Sequence, residues 1–478
     1  MSATLASSPS MAGDAARLLA VQRAAFDAER DSPLAVRRHR LDRLLALAER
    51  HEDEIVAAIA ADFGTRSAQE TRLAELFMVT AGIRHAQRNL PRWMRSRRVV
   101  TPLYLKPGTS RVVRQPRGVV GVISPWNYPF QLAMLPAVAA LAAGNRVLLK
   151  PSELTPRTSM LLERLVALHF AADEFAVVTG GPEIGEAFSH LAFDHLFFTG
   201  STSVGRKIAL AAAANLTPVT LELGGKSPAM VLDGADWTRL APRLATGKLL
   251  NAGQTCIAPD YVLAPADRVD ALVQAIGNSM RQLYPTITEN PDYTSIVSER
   301  HYSRLEGLIE DARRKGARVV RLHSADRPGT ISRKLAPTLL TGVRSDMAVM
   351  QEEIFGPVLP IETYTSVDEA IARINARPNP LALYLFGGDS AARRRVLAQT
   401  HAGGVTLDDT LWHFCNEALP FGGIGASGIG AYHGEQGFLT FTHQKPVFRQ
   451  PRAAFTWMLR PPYGKRFEKM LQLLRRIA

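Results

Sequence analysis

Between residues 118 and 199 the chain repeats one pattern, a short run rich in Val, Ile and Leu followed by a stretch with apolar residues at helical spacing. The short runs are 119–123, 146–150, 176–179 and 195–199, and the helical stretches include 130–143 and 157–170. Strands separated by helices of this length cannot pair as hairpins. They run parallel, joined by right-handed crossovers that cover both faces of the sheet. The pattern therefore predicts an α/β chain with a doubly wound parallel sheet, whose ligand sits at the carboxyl ends of the strands.

The last of these runs leads into Gly200-Ser201-Thr202-Ser203-Val204-Gly205 and then a helical stretch from Arg206. Glycines at a strand-to-helix turn let a dinucleotide approach the backbone, and the free N–H groups at the helix start attract pyrophosphate. The spacing departs from GxGxxG, so by itself it suits a plain turn equally well.

On either side the texture differs. Residues 15–97 place Leu41, Leu44, Leu45, Leu47, Ile55, Ala58 and Ile59 at the spacing of amphipathic helices. Pro91, Pro102 and Pro107 break that pattern, and Tyr104-Leu105-Lys106 with Ser110 to Arg114 reads as a short hairpin around Pro107-Gly108, suited to a dimerisation arm. Beyond residue 256 a second α/β region is expected, with helices near 269–283, 302–315, 367–375 and 391–400 and a strand near 382–386. At 478 residues there is room for two or three domains.

A net charge of +13 would attract polyanions, but the arginines are scattered and no nucleic-acid-binding signature accompanies them. No nucleic-acid partner is expected. Two cysteines suit a reducing compartment. Asp14, Arg17, Arg23, Asp27 and Glu29 interrupt what would be the apolar core of a signal peptide, and no apolar run is long enough to span a bilayer. The expected location is cytoplasmic. No metal is expected, because the twelve histidines have no paired spacing with Cys or carboxylates.

The chemistry concentrates in two phrases, Leu221-Glu222-Leu223-Gly224-Gly225-Lys226 and Asn251-Ala252-Gly253-Gln254-Thr255-Cys256. They set one carboxylate and one thiol among small, turn-forming residues. Cys256 alone reads as a structural thiol. Glu222, in an apolar run ending at a Gly-Gly turn, is an odd place for a solvated residue. Together they read as covalent catalysis, because a thiolate attacks carbonyl carbon and a nearby carboxylate takes the proton of the thiol or of a water.

Seven phrases, in order over roughly residues 15–445, resemble the aldehyde dehydrogenase superfamily. They are Ser124-Pro125-Trp126-Asn127-Tyr128-Pro129, Lys150-Pro151-Ser152-Glu153, Phe198 to Thr202, Glu222 to Lys226, Gly253 to Cys256, Glu353-Ile354-Phe355-Gly356-Pro357 and Pro420-Phe421-Gly422-Gly423. The short N-terminus and the stretch ending Tyr432-His433-Gly434 look most like the class-three, fatty-aldehyde and bacterial coniferyl-aldehyde dehydrogenases. The resemblance implies an NAD-binding domain from 1–100 and 117–225, a catalytic domain from 226–421, and an oligomerisation arm and tail from 101–116 and 440–478.

It also implies roles. Cys256 would attack the aldehyde, Asn127 and the Cys256 N–H would hold the oxyanion, and Glu222 would activate the water that hydrolyses the thioester. Lys150 and Glu153 would bind the adenosine ribose, Ser201 with Gly200 and Gly205 the pyrophosphate, and Glu353 with Phe355 the nicotinamide ribose and ring. Ser124, Trp126, Ser152 and Leu223 complete the cofactor cleft. A carboxylate at Glu153 favours NAD over NADP, which relatives with this residue nevertheless accept.

The substrate pocket is expected from Phe130, residues next to Cys256, Leu411 to Phe414 including Trp412, and Phe421, implying a hydrophobic aldehyde, aromatic or aliphatic. Cys415 reads as a bystander. The basic tail from Arg460 to Arg476 sets Phe467, Met470, Leu471, Leu474 and Ile477 opposite Lys465, Arg466, Lys469, Arg475 and Arg476. It suits subunit packing in a homodimer, or peripheral contact with an anionic membrane. The alternatives to an acid-forming dehydrogenase are a CoA-acylating relative, against which Glu222 argues, and a non-catalytic member of the family.

Overall fold

The computed structural model of the protein describes residues 9–323, 333–452 and 454–477. The four expected strands are joined by two that were not expected, Val219–Glu222 and Gly428–Ile429, in a six-stranded sheet of order Gly428–Ile429, Val219–Glu222, His195–Thr199, Val119–Ile123, Arg146–Lys150, Phe175–Val177. All neighbours are parallel except the two-residue edge strand Gly428–Ile429. The two-residue period of the strands divides their side chains between opposite faces. Val120, Val122, Val147, Leu149 and Phe197 join one core, and Val119, Leu148, Leu196 and Phe198 the other.

Helices Leu34–Arg50, Glu52–Phe63 and Met78–Trp93 pack on Gln131–Ala142 and Pro156–His169, while Pro9–Ala28 packs with Pro182–Ser189. Gln131–Ala142 is buried nearly all round, because it lies between the sheet and the N-terminal helices. The sheet is filled outward from Val119–Ile123, first to one side and then to the other. That reversal opens a crevice beyond Ile123 and Thr199.

Only Leu223 to Ser227 separate Val219–Glu222 from Pro228–Val231, the first strand of a second sheet. Its order is Arg318–Arg321, Thr338–Thr341, Val358–Tyr364, Tyr261–Pro265, Pro228–Val231, Ala382–Phe386, Gly404–Leu407, with only the first pair antiparallel. The chain later returns to the first sheet through Gly428–Ile429, which closes a long loop over the junction.

The expected hairpin around Pro107 is not formed as read. Leu103–Leu105 is a 3-10 turn, and Thr109–Pro116 pairs instead with Arg97–Val99 on one side and Thr442–Arg449 on the other. Pro102 and Pro107 lack the N–H a strand would need there. The tail forms the helix Lys465–Ile477, which touches the Leu103–Leu105 turn and Phe455–Leu459. Phe467, Met470, Leu471 and Leu474 are half-buried and the lysines and arginines exposed; the side chain of Ile477 lies outside the described residues. Among the described residues no helix is long and apolar enough to cross a membrane.

Candidate active site

Cys256 follows the helix Trp237–Leu249 and a tight turn, Leu250–Gly253. In that turn Asn251 and Ala252 both have φ of 52°, a left-handed conformation costly for residues with a Cβ. Gly253 also has positive φ, and a Cβ there would collide with the carbonyl oxygen of Gly356. The strain is held by side chains. Gln254 Nε2 donates to the Asn251 carbonyl at 3.0 Å and to the Ser295 carbonyl at 3.1 Å, and its Oε1 accepts from the Val297 N–H at 2.9 Å.

Asn127 is buried beside this loop. Its Nδ2 donates to the Gln254 carbonyl at 3.1 Å, leaving one amide hydrogen for another acceptor. Its own carbonyl accepts from Arg66 Nη1 at 3.0 Å and Asn251 Nδ2 at 2.8 Å. Arg66 in turn pairs with Glu75 at 2.9 Å, both side chains wholly buried. Glu75 sits in the wide π-helical turn Arg72–Phe77 and accepts the Phe130 N–H at 2.7 Å and the Gln131 N–H at 3.0 Å, capping the helix that follows. Arg66, Glu75, Asn251 and Gln254 thus position the site. Sequence reading missed Arg66 and Glu75 and took Asn251 and Gln254 only as members of the Cys256 phrase, since a buried ion pair between a loop and the turn that follows it leaves no periodic pattern.

Glu222 ends its strand buried, with neither carboxylate oxygen hydrogen-bonded. Burial raises its pKa well above the ordinary carboxylate range. The half-buried thiol of Cys256 is pushed up to about 12, first by desolvation and then by the charges of Glu353 and Glu222. Those charges place both carboxylates within Coulombic reach of the sulfur. A desolvated carboxylate is a strong base when ionised, and a thiol raised in this way is neutral until something takes its proton.

Cys256 lines a cavity of about 240 Å³ with predominantly apolar walls. Leu73, Phe77 and Met78 form one side, Leu132, Leu250 and Ile257 the next, and Leu411, Trp412, Phe414 and Cys415 close it. Trp412 is therefore where the sequence put it. Phe130 and Phe421 are not. Phe130 points into the core beneath the helix Gln131–Ala142, and Phe421 lies a layer behind Phe414, packed edge-to-face on it at 4.8 Å and stacked on His433 at 5.3 Å. The reason is the helix start in one case and the β-bridge of Phe421 to Tyr432 in the other, which turn both rings inward. Leu73 and Phe77 were missed, although their i,i+4 spacing is visible.

The remaining expected residues gather at the crevice. Ser124 follows Val119–Ile123, its N–H bonded to the Lys150 carbonyl at 3.1 Å. Lys150 is buried, with Nζ 2.8 Å from the Pro151 carbonyl and 3.7 Å from exposed Glu153. Ser152 lies between them, half-buried, and its carbonyl accepts from Ser159 Oγ at 2.8 Å. Across the crevice, Gly200 donates its N–H to the Glu222 carbonyl at 3.0 Å, and exposed Ser201 caps the helix Thr202–Ala213. Gly205 lies so close to Leu223 that a Cβ would sit 2.6 Å from its Cδ2. Glu353 packs against Gly224, and Phe355, with φ of 52°, sets its ring 5.3 Å from that of Trp126. An exposed helix start, a lysine beside a solvent-facing carboxylate, and a second carboxylate near the thiol fit a dinucleotide lying along the crevice.

Residues 4–447 match the model of the aldehyde dehydrogenase family. The chain belongs to that family. A Pseudomonas aeruginosa protein named "Probable coniferyl aldehyde dehydrogenase" is 50% identical over 457 residues, 96% of this chain and 95% of its own. "Aldehyde dehydrogenase family 3 member A2" of Mus musculus is 43% identical over 426 residues, 89% of this chain and 86% of its own. The solved structure "Substrate bound state of Staphylococcus Aureus AldH" has a TM-score of 0.91 at 40% identity, covering 96% of this chain and 99% of that one. This aldehyde dehydrogenase is thus an NAD(P)-dependent oxidoreductase that oxidises aldehydes, with the two-sheet α/β fold of its family. Its likeness to coniferyl-aldehyde and class-three enzymes is the one the motifs implied.

Proposed function

We propose that Cys256 carries the aldehyde through a covalent thioester and that the substrate is a hydrophobic aldehyde, aromatic of the coniferyl type or medium-to-long aliphatic. The observation that carries this reading is the pairing of a desolvated, unbonded Glu222 with the Cys256 thiol at an apolar cavity. The sulfur loses its proton to a carboxylate and bonds the carbonyl carbon. The resulting oxyanion accepts from the free hydrogen of Asn127 Nδ2 and from the Cys256 N–H. Bound nicotinamide supplies the acceptor for the hydride on that carbon. Glu222 then takes a proton from the water that attacks the thioester carbon, the C–S bond breaks, and the acid leaves with the thiol restored.

For the cofactor, Lys150 and Glu153 suit the adenosine ribose hydroxyls, Ser201 with the Gly200 to Gly205 turn the pyrophosphate, and Glu353 with Phe355 the nicotinamide ribose and ring. Ser124, Trp126, Ser152 and Leu223 line the same crevice. NAD is the proposed first choice, because Glu153 would repel a 2′-phosphate.

The division into an NAD-binding part, 1–100 and 117–225, a catalytic part, 226–421, and an arm and tail, 101–116 and 440–478, is our reading of the two sheets and the small third one; residues 1–8 and 478 lie outside the described residues. The antiparallel sheet of Thr109–Pro116 and Thr442–Arg449 supports a homodimer arm. We assign the tail helix to subunit packing, with peripheral contact to an anionic membrane as the alternative, and the enzyme to the cytoplasm. A panel of aldehydes assayed with NAD and with NADP, without CoA, tests the function. Acid formation is expected, and strict CoA dependence would overturn the hydrolytic step.

A further inference from the structure

The cavity at Cys256 is apolar enough that each polar group on its wall can be accounted for. The Tyr128 hydroxyl is bonded to Thr255 Oγ1 at 2.8 Å. Asp409 is paired with Arg243 at 3.5 Å and accepts the Thr410 N–H at 2.8 Å, and Thr410 Oγ1 donates to the Arg243 carbonyl at 3.2 Å. Thr246 and Cys415 are exposed at the rim. Gln131 differs from all of these. It lines the cavity and is 4% exposed, and none of the described hydrogen bonds engages its side-chain amide, whose polar atoms are not among the fully enclosed ones and so keep accessible surface.

Its position is fixed rather than adventitious. Gln131 is the first residue of the helix Gln131–Ala142, and its backbone N–H is held by Glu75 at 3.0 Å. Neighbouring positions of that helix are Leu132, Ala133, Met134 and Leu135, so an amide here interrupts an apolar series. A ligand that displaces water from such an amide is disfavoured when it offers no hydrogen-bonding group in return and favoured when it does.

We propose that Gln131 is a specificity-determining residue that hydrogen-bonds a neutral oxygen of the substrate remote from its reacting carbonyl. The aldehyde class is then an apolar, predominantly aromatic aldehyde bearing a hydroxyl or ether oxygen, rather than an unsubstituted hydrocarbon chain. The amide serves either oxygen, since its NH₂ donates to an ether and its carbonyl accepts from a hydroxyl. The inference rests on the cavity being the aldehyde site, and the test separates the two.

The test compares kcat/KM of the full-length enzyme with NAD for 3-phenylpropenal, for its 4-hydroxy-3-methoxy derivative and for octanal, in the wild type and in Gln131→Met and Gln131→Leu. The wild type is expected to favour the oxygenated ring over the plain ring by roughly tenfold or more. Both variants should bring that ratio close to one, and the ratio rather than the absolute rate is the readout. A wild type that oxidises both rings equally, or a Gln131→Met enzyme that keeps the preference, overturns the role of Gln131 and leaves the aldehyde site standing. Failure of all three aldehydes overturns the hydrophobic-aldehyde reading instead. If neither variant folds, the same ratio is read in Gln131→Asn, whose shorter amide should also bring it close to one, and an unchanged preference there overturns the role of Gln131.

Discussion

Asn251 donates from Nδ2 to the carbonyl of Asn127 at 2.8 Å, so a residue of the nucleophile's own turn fixes the residue proposed to hold the oxyanion. The same Nδ2 reaches the Gln254 carbonyl at 3.1 Å, the acceptor that Asn127 Nδ2 also uses. One buried amide therefore sets the separation of two catalytic elements drawn from different sheets. Asn251→Ala removes that clamp and puts a Cβ without a compensating bond at φ of 52°. We expect kcat/KM to fall roughly a hundredfold, the scale on which small misplacements act, with steady-state kinetics as the check and cofactor affinity little changed.

The two proposed chemical roles separate kinetically. Cys256→Ala should abolish NADH formation altogether, while Glu222→Gln should release one equivalent of NADH in a burst and then stall at the acyl-enzyme. Stopped-flow absorbance at enzyme concentrations comparable to substrate distinguishes them. Normal turnover by Glu222→Gln at neutral pH would remove Glu222 from its role.

The desolvation of Glu222 fixes the sign of a pH effect. A general base acts when deprotonated, and burial raises the pKa of this one above the usual carboxylate range. Thioester hydrolysis should then be fast at high pH and fall as pH drops through that raised value, not through the range near 4.5 of a solvated glutamate. Rapid-quench measurement of deacylation across pH tests this. An unshifted acid limb in the wild type would contradict the burial argument.

Arg66 and Glu75 form a pair with no solvent access to either side chain. Glu75→Ala leaves the buried guanidinium with only the more distant Glu70 carboxylate, at 3.7 Å, and strips two N–H groups at the start of Gln131–Ala142 of their acceptor. The expected loss is about 3–5 kcal/mol of stability, read by denaturant unfolding. A change near zero would mean that water reaches the vacated site.

Glu153 is exposed and 3.7 Å from Lys150. Replacing it with Gln keeps a hydrogen-bonding group but removes the charge that opposes a 2′-phosphate. The ratio of kcat/KM for NADP to that for NAD should rise by roughly tenfold, about 1.4 kcal/mol. An unchanged ratio would place the phosphate discrimination elsewhere.

The alternation of apolar runs with helical stretches located four of the six strands of the first sheet to within two residues, because strands buried on both faces must be continuously apolar and parallel pairing demands a crossover. The run 119–123 and the strand Val119–Ile123 coincide. Local chemistry likewise marked Glu222, Cys256 and the glycine turn after Thr199. The sequence could not decide which way a ring turns. Phe130 and Phe421 look like pocket residues in the chain and face the core in the fold, whereas Leu73 and Phe77, from a segment with no chemical signature, line the cavity.

Pairings between distant segments were equally hidden. Thr109–Pro116 takes its long partner from Thr442–Arg449, and Arg66, from a loop, reaches the Asn127 carbonyl in another loop 61 residues on. Periodicity records how a segment meets its surroundings on average, so the sequence by itself determined most of the first sheet and named the candidate reacting groups. Which carbonyl an arginine finds, and which side chains enclose the aldehyde, depend on the packing of elements far apart in the chain, and only the tertiary structure decided them.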